Sequence, residues 1–371
     1  MVFLIHYVYM RRLVVIGIGI LFLFCGLLFF QRNPQSFISP LGQKNSLSLF
    51  PTPRILPLTL DTIFSSDHTW VQSLPDDKKI ILIATGDIIP ARSVNAQTIK
   101  ANDFTWAWKN IAEILKSGDM TLINLETPLI SKCPVTVEGM VFFGDQRHME
   151  GLHFAGVDIV NLANNHTGNY GKEGIAETKA LLEKNTMVIS GLGEVGKKEV
   201  KGVTFAFLGF DDIGPHVAPV ASMDEETVKQ QIFEAKKRAD IVIVSMSWGV
   251  EYVDRPNERQ KMFAHLAVDS GADLVIGNHP HWIQPIELYN GKVIMYAHGN
   301  TIFDQMWSEE TKKGVIGKYT FYDKKLVDVA FIPTYIKDYG QPMLLENETK
   351  TLLLNQLQKN SLDISLERPQ L

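Results

Sequence analysis

Six short apolar runs in this 371-residue chain each stop at side chains able to hold a cation or a phosphate group. Ile80–Ala84 leads into Thr85-Gly86-Asp87 and then Arg92, and Met120–Ile123 into Asn124-Leu125-Glu126. Val157–Val160 leads into the stretch Asn161 to His166, followed by Gly168 and Gly171. Ile241–Met246 ends at Ser247-Trp248-Gly249 and Glu251, Leu274–Gly277 at Asn278-His279-Pro280-His281, and Val293–Tyr296 at His298-Gly299-Asn300. Carboxylate, amide oxygen and imidazole are the donors taken by borderline and hard divalent ions. Gly-Asp and Asn-Leu-Glu also occur as ordinary turns and helix caps. His-Pro-His is sharper, because two imidazoles flanking a rigid proline can face one cation, whereas two buried imidazoles otherwise need separate partners.

The elements that must position these groups follow from periodicity. Short apolar runs at Ile80–Ala84, Met120–Asn124, Val157–Asn161, Met187–Ser190, Val203–Gly209, Ile241–Met246, Leu274–Gly277 and Val293–Tyr296 predict strands. Between them, Trp106–Lys116, Lys172–Lys184, Glu225–Arg238 and Asn257–Ser270 carry apolar residues at three-to-four spacing and predict helices. Alternation of the two predicts an α/β fold, in which ligands bind where strands end. No internal repeat or low-complexity tract interrupts the pattern.

Ahead of this region, Leu13–Phe30 is an unbroken run of 18 residues without a polar side chain. As a helix it would be about 27 Å long, enough to span a bilayer. No small-residue cleavage pattern follows it, so an uncleaved anchor is expected. Arg11 and Arg12 precede the run and Arg32 follows, which predicts a single-pass protein of the cell membrane with residues 1–12 inside and the remainder extracytoplasmic. Residues 31–78 contain six prolines and serine clusters and read as a linker. The first 32 residues hold three arginines and no acid, so a net charge of −5 leaves −8 on the rest. That balance argues against nucleic acid as a partner. With only Cys25 and Cys133, one in the span and one far beyond it, no intrachain disulfide is expected.

The ordered segments ATGDIIPAR, INLETPL, VNLANNHTGNYGKEGI, SGLGE, VSMSWGVEY, GADLVIGNHPHWIQPIE and YAHGNTIFDQ resemble the bacterial CapA family of poly-γ-glutamate capsule biosynthesis proteins, over about residues 79–345. That family in turn resembles calcineurin-like metallophosphoesterases. The resemblance implies a four-layer αββα sandwich over 79–345 with the site at its strand ends, leaving 346–371 as a terminal helix or tail.

The resemblance also implies roles. Asp87 matches the first metal-binding aspartate, Glu126 the carboxylate that bridges two metals, and Asn165 the ligating amide. His166 matches the imidazole that protonates the leaving oxygen or stabilises the transition state, and His279 and His281 match the paired histidines of the last motif. Arg92 is a candidate clamp for phosphate or carboxylate. Two positions depart from the pattern. Ile89 stands where a phosphoesterase has histidine, and Ser247 where the CapA pattern has the histidine of His-Trp-Gly. Ser247 and His298 are the substitute ligands, and loss of an imidazole shifts any site toward oxygen-preferring metals. The cofactor is thus a divalent metal, one or two ions, with manganese, magnesium, zinc and iron all open.

Two functions remain open at this level. One is a metal-dependent phosphoester hydrolase acting on an envelope substrate. The other is a degenerate polymer-binding subunit of a membrane-bound synthase. Biosynthesis or export of poly-γ-glutamate or another envelope polymer is the process that the resemblance implies, with an anionic polymer or phosphoester as substrate.

Overall fold

The computed structural model describes residues 55–366. Two mixed β-sheets form its centre. In the first, strands run in the order β16 (Gln341–Leu344), β15 (Lys325–Lys337), β14 (Lys313–Tyr322), β1 (Lys79–Ile88), β2 (Met120–Leu125), β5 (Ile159–Asn161) and β6 (Val188–Ser190). A short β13 (Asn300–Ile302) adds to the far end of β1. From β1 to β6 the pairing is parallel, whereas β14, β15 and β16 form an antiparallel wing. The second sheet runs β11 (Ile283–Tyr289), β12 (Lys292–His298), β10 (Leu274–Asn278), β9 (Ile241–Ser247), β8 (Val203–Asp211) and β7 (Gly196–Val200). Its inner strands are parallel, and β11 and β7 close its edges in antiparallel pairing.

Strand alternation explains how the layers stack. Along β8, Phe205 and Phe207 face the first sheet and pack with Ile80, Leu82, Met120 and Leu122, while Ala206 and Leu208 point the other way. Along β9, Ile241 and Ile243 join the same inter-sheet core and Val242 and Val244 the outer one. Both faces of these strands are therefore buried, as the continuous apolar runs require. Two helices cover the outer face of the second sheet: α6 (Glu225–Lys236), capped by Asp224 accepting from the Thr227 N–H, and α7 (Glu258–Asp269), started by an Asn257/Gln260 capping box. The first sheet is covered on its outer side by α3 (Ala112–Leu115), α4 (Met149–Phe154) and α5 (Gly171–Lys184), with Trp108 and Ile111 at its middle. Helix, sheet, sheet and helix is the layering, and every strand expected from periodicity is present. Of the expected helix over 106–116, only a 3-10 turn and the four residues of α3 form.

The linker expected over 31–78 is corrected for its second half. Thr59 caps α1 (Leu60–Ile63), and Ile63 is buried in the inter-sheet core. Val71 and Leu74 pack on Tyr322 and Val327, and His68 bonds the buried Asp328 at 2.8 Å. Proline there shapes a packed extension instead of a spacer, because its few apolar residues find long-range partners that local periodicity does not report. The chain ends in α8 (Asn347–Leu366), a helix with Leu357 in the inter-sheet core. The expected anchor over 13–30 lies outside the described residues, and among those described no helix is long and apolar enough to cross a membrane.

Candidate metal centre

Asp87 reaches the site because β1 is bulged between Ala84 and Asp87 and makes a close approach to β13. Gly86 permits this: a Cβ there would lie 1.9 Å from the Gly299 carbonyl oxygen. Across the first sheet, Asp87, Asn124 and Asn161 are neighbours in register. Their amides form a relay in which Asn124 Nδ2 donates to Asp87 Oδ1 at 2.9 Å, and Asn161 Nδ2 donates to Asn124 Oδ1 at 3.0 Å. Asn164 Nδ2 donates to the same Asn124 oxygen at 3.2 Å. These asparagines, conspicuous in sequence, orient Asp87 instead of facing a ligand themselves.

From the second sheet comes the His-Pro-His turn. His279 and His281 both have left-handed backbones, with φ of +91° and +58°, a conformation that non-glycine residues hold only where the surroundings over-determine it. His281 Nδ1 lies 3.0 Å from Asp87 Oδ2 and 2.9 Å from Asn300 Oδ1. Both partners are acceptors, so Nδ1 carries the proton and Nε2 keeps its lone pair for a ligand. One ligand atom each from Glu126, His279 and His281 lie within 4.8 Å of one another. All three residues are buried, and Glu126 Oε1 and His279 Nδ1 lack any hydrogen-bond partner. Buried atoms are rarely left so unless something absent from the chain itself satisfies them. The donor set fits a divalent cation.

Electrostatics point the same way. Burial, with the charges of Asp87, Asp211 and Glu251, raises the Glu126 pKa well above the usual carboxylate range. A cation would relieve this crowding. Burial also tends to raise the Asp87 pKa, but the hydrogen bonds from His281 and Asn124 help bring it below its ordinary value. Burial and the neighbouring His281 push the His279 pKa down to about 3, which leaves a neutral ring fit to ligate.

The expected residues divide as follows. Glu126, His279 and His281 converge. Asp87 is at the centre, but both its oxygens are taken up in holding His281, Asn124 and the His279 N–H. Asn165 is half-buried with its Oδ1 unpartnered, the state expected of a ligand. His166 sits beside it with Nδ1 bonded to Asn169 Oδ1 at 2.8 Å, and that oxygen also accepts the Phe142 N–H at 2.6 Å. The proton is therefore on Nδ1, and burial pushes the His166 pKa down to about 4. At neutral pH the ring presents a lone pair at Nε2, not the proton an acid needs. Asn169→Ala removes both bonds and should lower stability by about 1–2 kcal/mol in urea unfolding, leaving metal content unchanged.

Two expectations are corrected. Arg92 is not a free anion clamp: its guanidinium is ion-paired with the buried Asp304, donates to the Gly139 carbonyl at 3.0 Å, and lies between the rings of Phe142 and Phe303 at 4.8 and 5.0 Å. His298 is no substitute ligand. Its Nε2 bonds Tyr319 Oη at 3.0 Å, and its ring packs against Tyr319 and Phe331 between the sheets. Ile89, where an imidazole is missing, lies in an apolar cluster with Phe142 and Phe303. A buried carboxylate that the sequence reading did not single out is Asp211. It ends β8, is fully buried, and has its pKa raised to about 6 by burial. Continued alternation past Gly209, through Phe210, was the signal that the strand ran on to it.

Residues 81–305 match the family model described as "Bacterial capsule synthesis protein PGA_cap". The chain is similar to the PGA biosynthesis protein CapA of Bacillus subtilis, at 39% identity over 43% of this chain and 46% of that protein. The match therefore spans less than half of that relative. It is 27% identical to the capsule biosynthesis protein CapA of Bacillus anthracis, over 90% of this chain and 86% of the other. A solved phosphatase of Mycoplasma pneumoniae overlays with a TM-score of 0.47 and 14% identity, covering 74% of this chain and 96% of that one, a likeness too loose to bear on chemistry.

Proposed function

The chain belongs to the bacterial capsule synthesis protein family PGA_cap, and on that footing we propose that it serves the biosynthesis or export of poly-γ-glutamate or another anionic envelope polymer through a metal centre of metallophosphoesterase type. The observation that carries this reading is the convergence of Glu126, His279 and His281 at the ends of strands from two sheets, with Glu126 Oε1 and His279 Nδ1 unpartnered. Asn165 would join them, and Asp87 would hold His281 in its ligating orientation. A bound divalent ion supplies positive charge for an anionic substrate and lowers the pKa of water. Around it, the neutral His166 can accept a proton at Nε2, and Tyr252, a few residues past the end of β9, sets its ring beside that of His281, with centroids 6.2 Å apart. Because the rest of the chain carries −8, an anionic polymer is drawn in only through that ion.

The chain would work at the cell membrane, held by Leu13–Phe30 with its globular part outside, next to a membrane-bound polymer synthase. A second reading, a polymer-binding subunit without turnover, is favoured by Ile89 and Ser247 in place of imidazoles and by Arg92 being neutralised. Full-length protein in detergent separates the two: hydrolysis of a generic phosphodiester, or cleavage of poly-γ-glutamate, that depends on added Mn2+ and is lost with EDTA supports the enzyme. Polymer binding without turnover under every divalent ion supports the binder.

A further inference from the structure

Arg92 lies between two rings, and each of those rings lies against a histidine of the site. The Phe303 centroid is 5.0 Å from the guanidinium carbon and 5.4 Å from the centroid of His281, with the two ring planes inclined at 49°. On the other side the Phe142 centroid is 4.8 Å from the same carbon, and Phe142 stacks on His166 with centroids 4.0 Å apart and planes at 27°. His281, Phe303, Arg92, Phe142 and His166 thus form one continuous pile, buried throughout. The edge of the guanidinium is fixed as well. It pairs with Asp304, whose second oxygen accepts the Ser93 N–H at 3.0 Å, and it donates to the Gly139 carbonyl, three residues before Phe142. Arg92 also holds a left-handed backbone, φ +48°, which a residue with a side chain keeps only where its surroundings impose it.

Hydrogen bonds to Asp87 and Asn300 fix where His281 Nδ1 sits, but they leave the ring able to tilt about that edge and carry Nε2 with it. His166, tied at Nδ1 to Asn169, has the same freedom. A packed face removes it. Resting on the metal-centre reading above, we propose that Arg92 is a positioning residue: through Phe303 it sets the tilt of His281, and through Phe142 that of His166, so that both Nε2 lone pairs are aimed. A planar guanidinium can turn one face to each phenyl ring while donating from its edge to Asp304 and Gly139, which an ammonium group cannot. Asp304 cancels its charge, so the pile adds no net charge beside a bound cation.

The test uses Arg92→Lys in the full-length protein in detergent, since lysine keeps the charge and can still pair with Asp304. In metal-free protein labelled at histidine Cε1, the NMR signals of His166 and His281 should shift, while that of His265, in α7, stays in place. After loading with Co2+, the variant should bind about tenfold more weakly than wild type and show a displaced d–d absorption band, with unchanged circular dichroism. Phe303→Leu should weaken Co2+ to a similar degree. Phe263→Leu, in the outer core of the second sheet, should lower stability but leave the Co2+ affinity and band as in wild type. Unmoved histidine signals in folded Arg92→Lys, or Co2+ affinity and absorption equal to wild type, would overturn the proposal and leave the metal centre standing. So would an equal loss in Phe263→Leu, because the effect would then be one of general packing. Should Arg92→Lys not fold, wild-type Co2+ affinity in Phe303→Leu overturns it alone. No Co2+ in wild type overturns the metal-centre reading and this one with it.

Discussion

Replacing His279 and His281 together by alanine should lower affinity at the imidazole centre by more than about 100-fold, leaving no detectable ion there after dialysis. The reason is geometric. His281 is held by Asp87 and Asn300 with its proton on Nδ1, and His279 carries an unpartnered nitrogen and is kept neutral by burial, so the folded chain presents His281 already oriented and His279 ready to ligate. Glu126 alone cannot replace two lone pairs. Metal content by mass spectrometry of the dialysed protein, with circular dichroism as a folding control, checks this. His281→Gln gives a milder test, since its amide can still donate to Asp87. Full metal content in the double variant would remove the basis for the centre.

Glu126→Gln should have opposite effects with and without metal. In the metal-free protein the folded-state pKa of Glu126 is raised above its unfolded value, so the folded chain keeps a proton that the unfolded chain has released. The native state then binds more protons, and stability falls as pH rises from about 4.5 through the raised value. Glutamine does not titrate. In EDTA at pH 8 the variant should therefore melt higher than wild type, by about 2–4 °C for a gain of about 1 kcal/mol, and the gap should close toward pH 5. With metal the order reverses: wild type gains about 2.7 kcal/mol at a hundredfold excess over Kd, and the variant gains little. Melting curves at two pH values, with EDTA and with Mn2+, contain the whole test. A variant that is less stable in EDTA at pH 8, or that gains as much from metal, contradicts the reading.

Much of this was legible because parallel strands buried on both faces are short, apolar and sharply ended. That made all eight expected strands, and the carriers Glu126, His279 and His281, visible as runs followed by polar clusters. The antiparallel wing β14 to β16 was not visible, since its strands mix Lys, Tyr and Thr with apolar residues and follow no helix. Arg92 looked like a free cation because its partner Asp304 lies 212 residues away. Asp211 hid in a stretch, Asp211-Asp212-Ile213-Gly214-Pro215, that has the composition of a turn. Residues 60–74 were read as linker from the prolines that flank them, Pro57 and Pro75, and only tertiary contact reveals that Ile63, Val71 and Leu74 are core.

The centre joins two sheets: Asp87 and Glu126 come from one, His279 and His281 from the other, and 194 residues separate Asp87 from the His281 it holds. Neither sheet alone can assemble it, and the loop-closure entropy must be met before any ligand atom has its neighbours. A cation that only the docked pair of sheets can hold would find no site until they have docked. Bound there, it would act on the rate at which the native chain opens more than on the rate at which it forms, and its occupancy would set how long each folded molecule lasts.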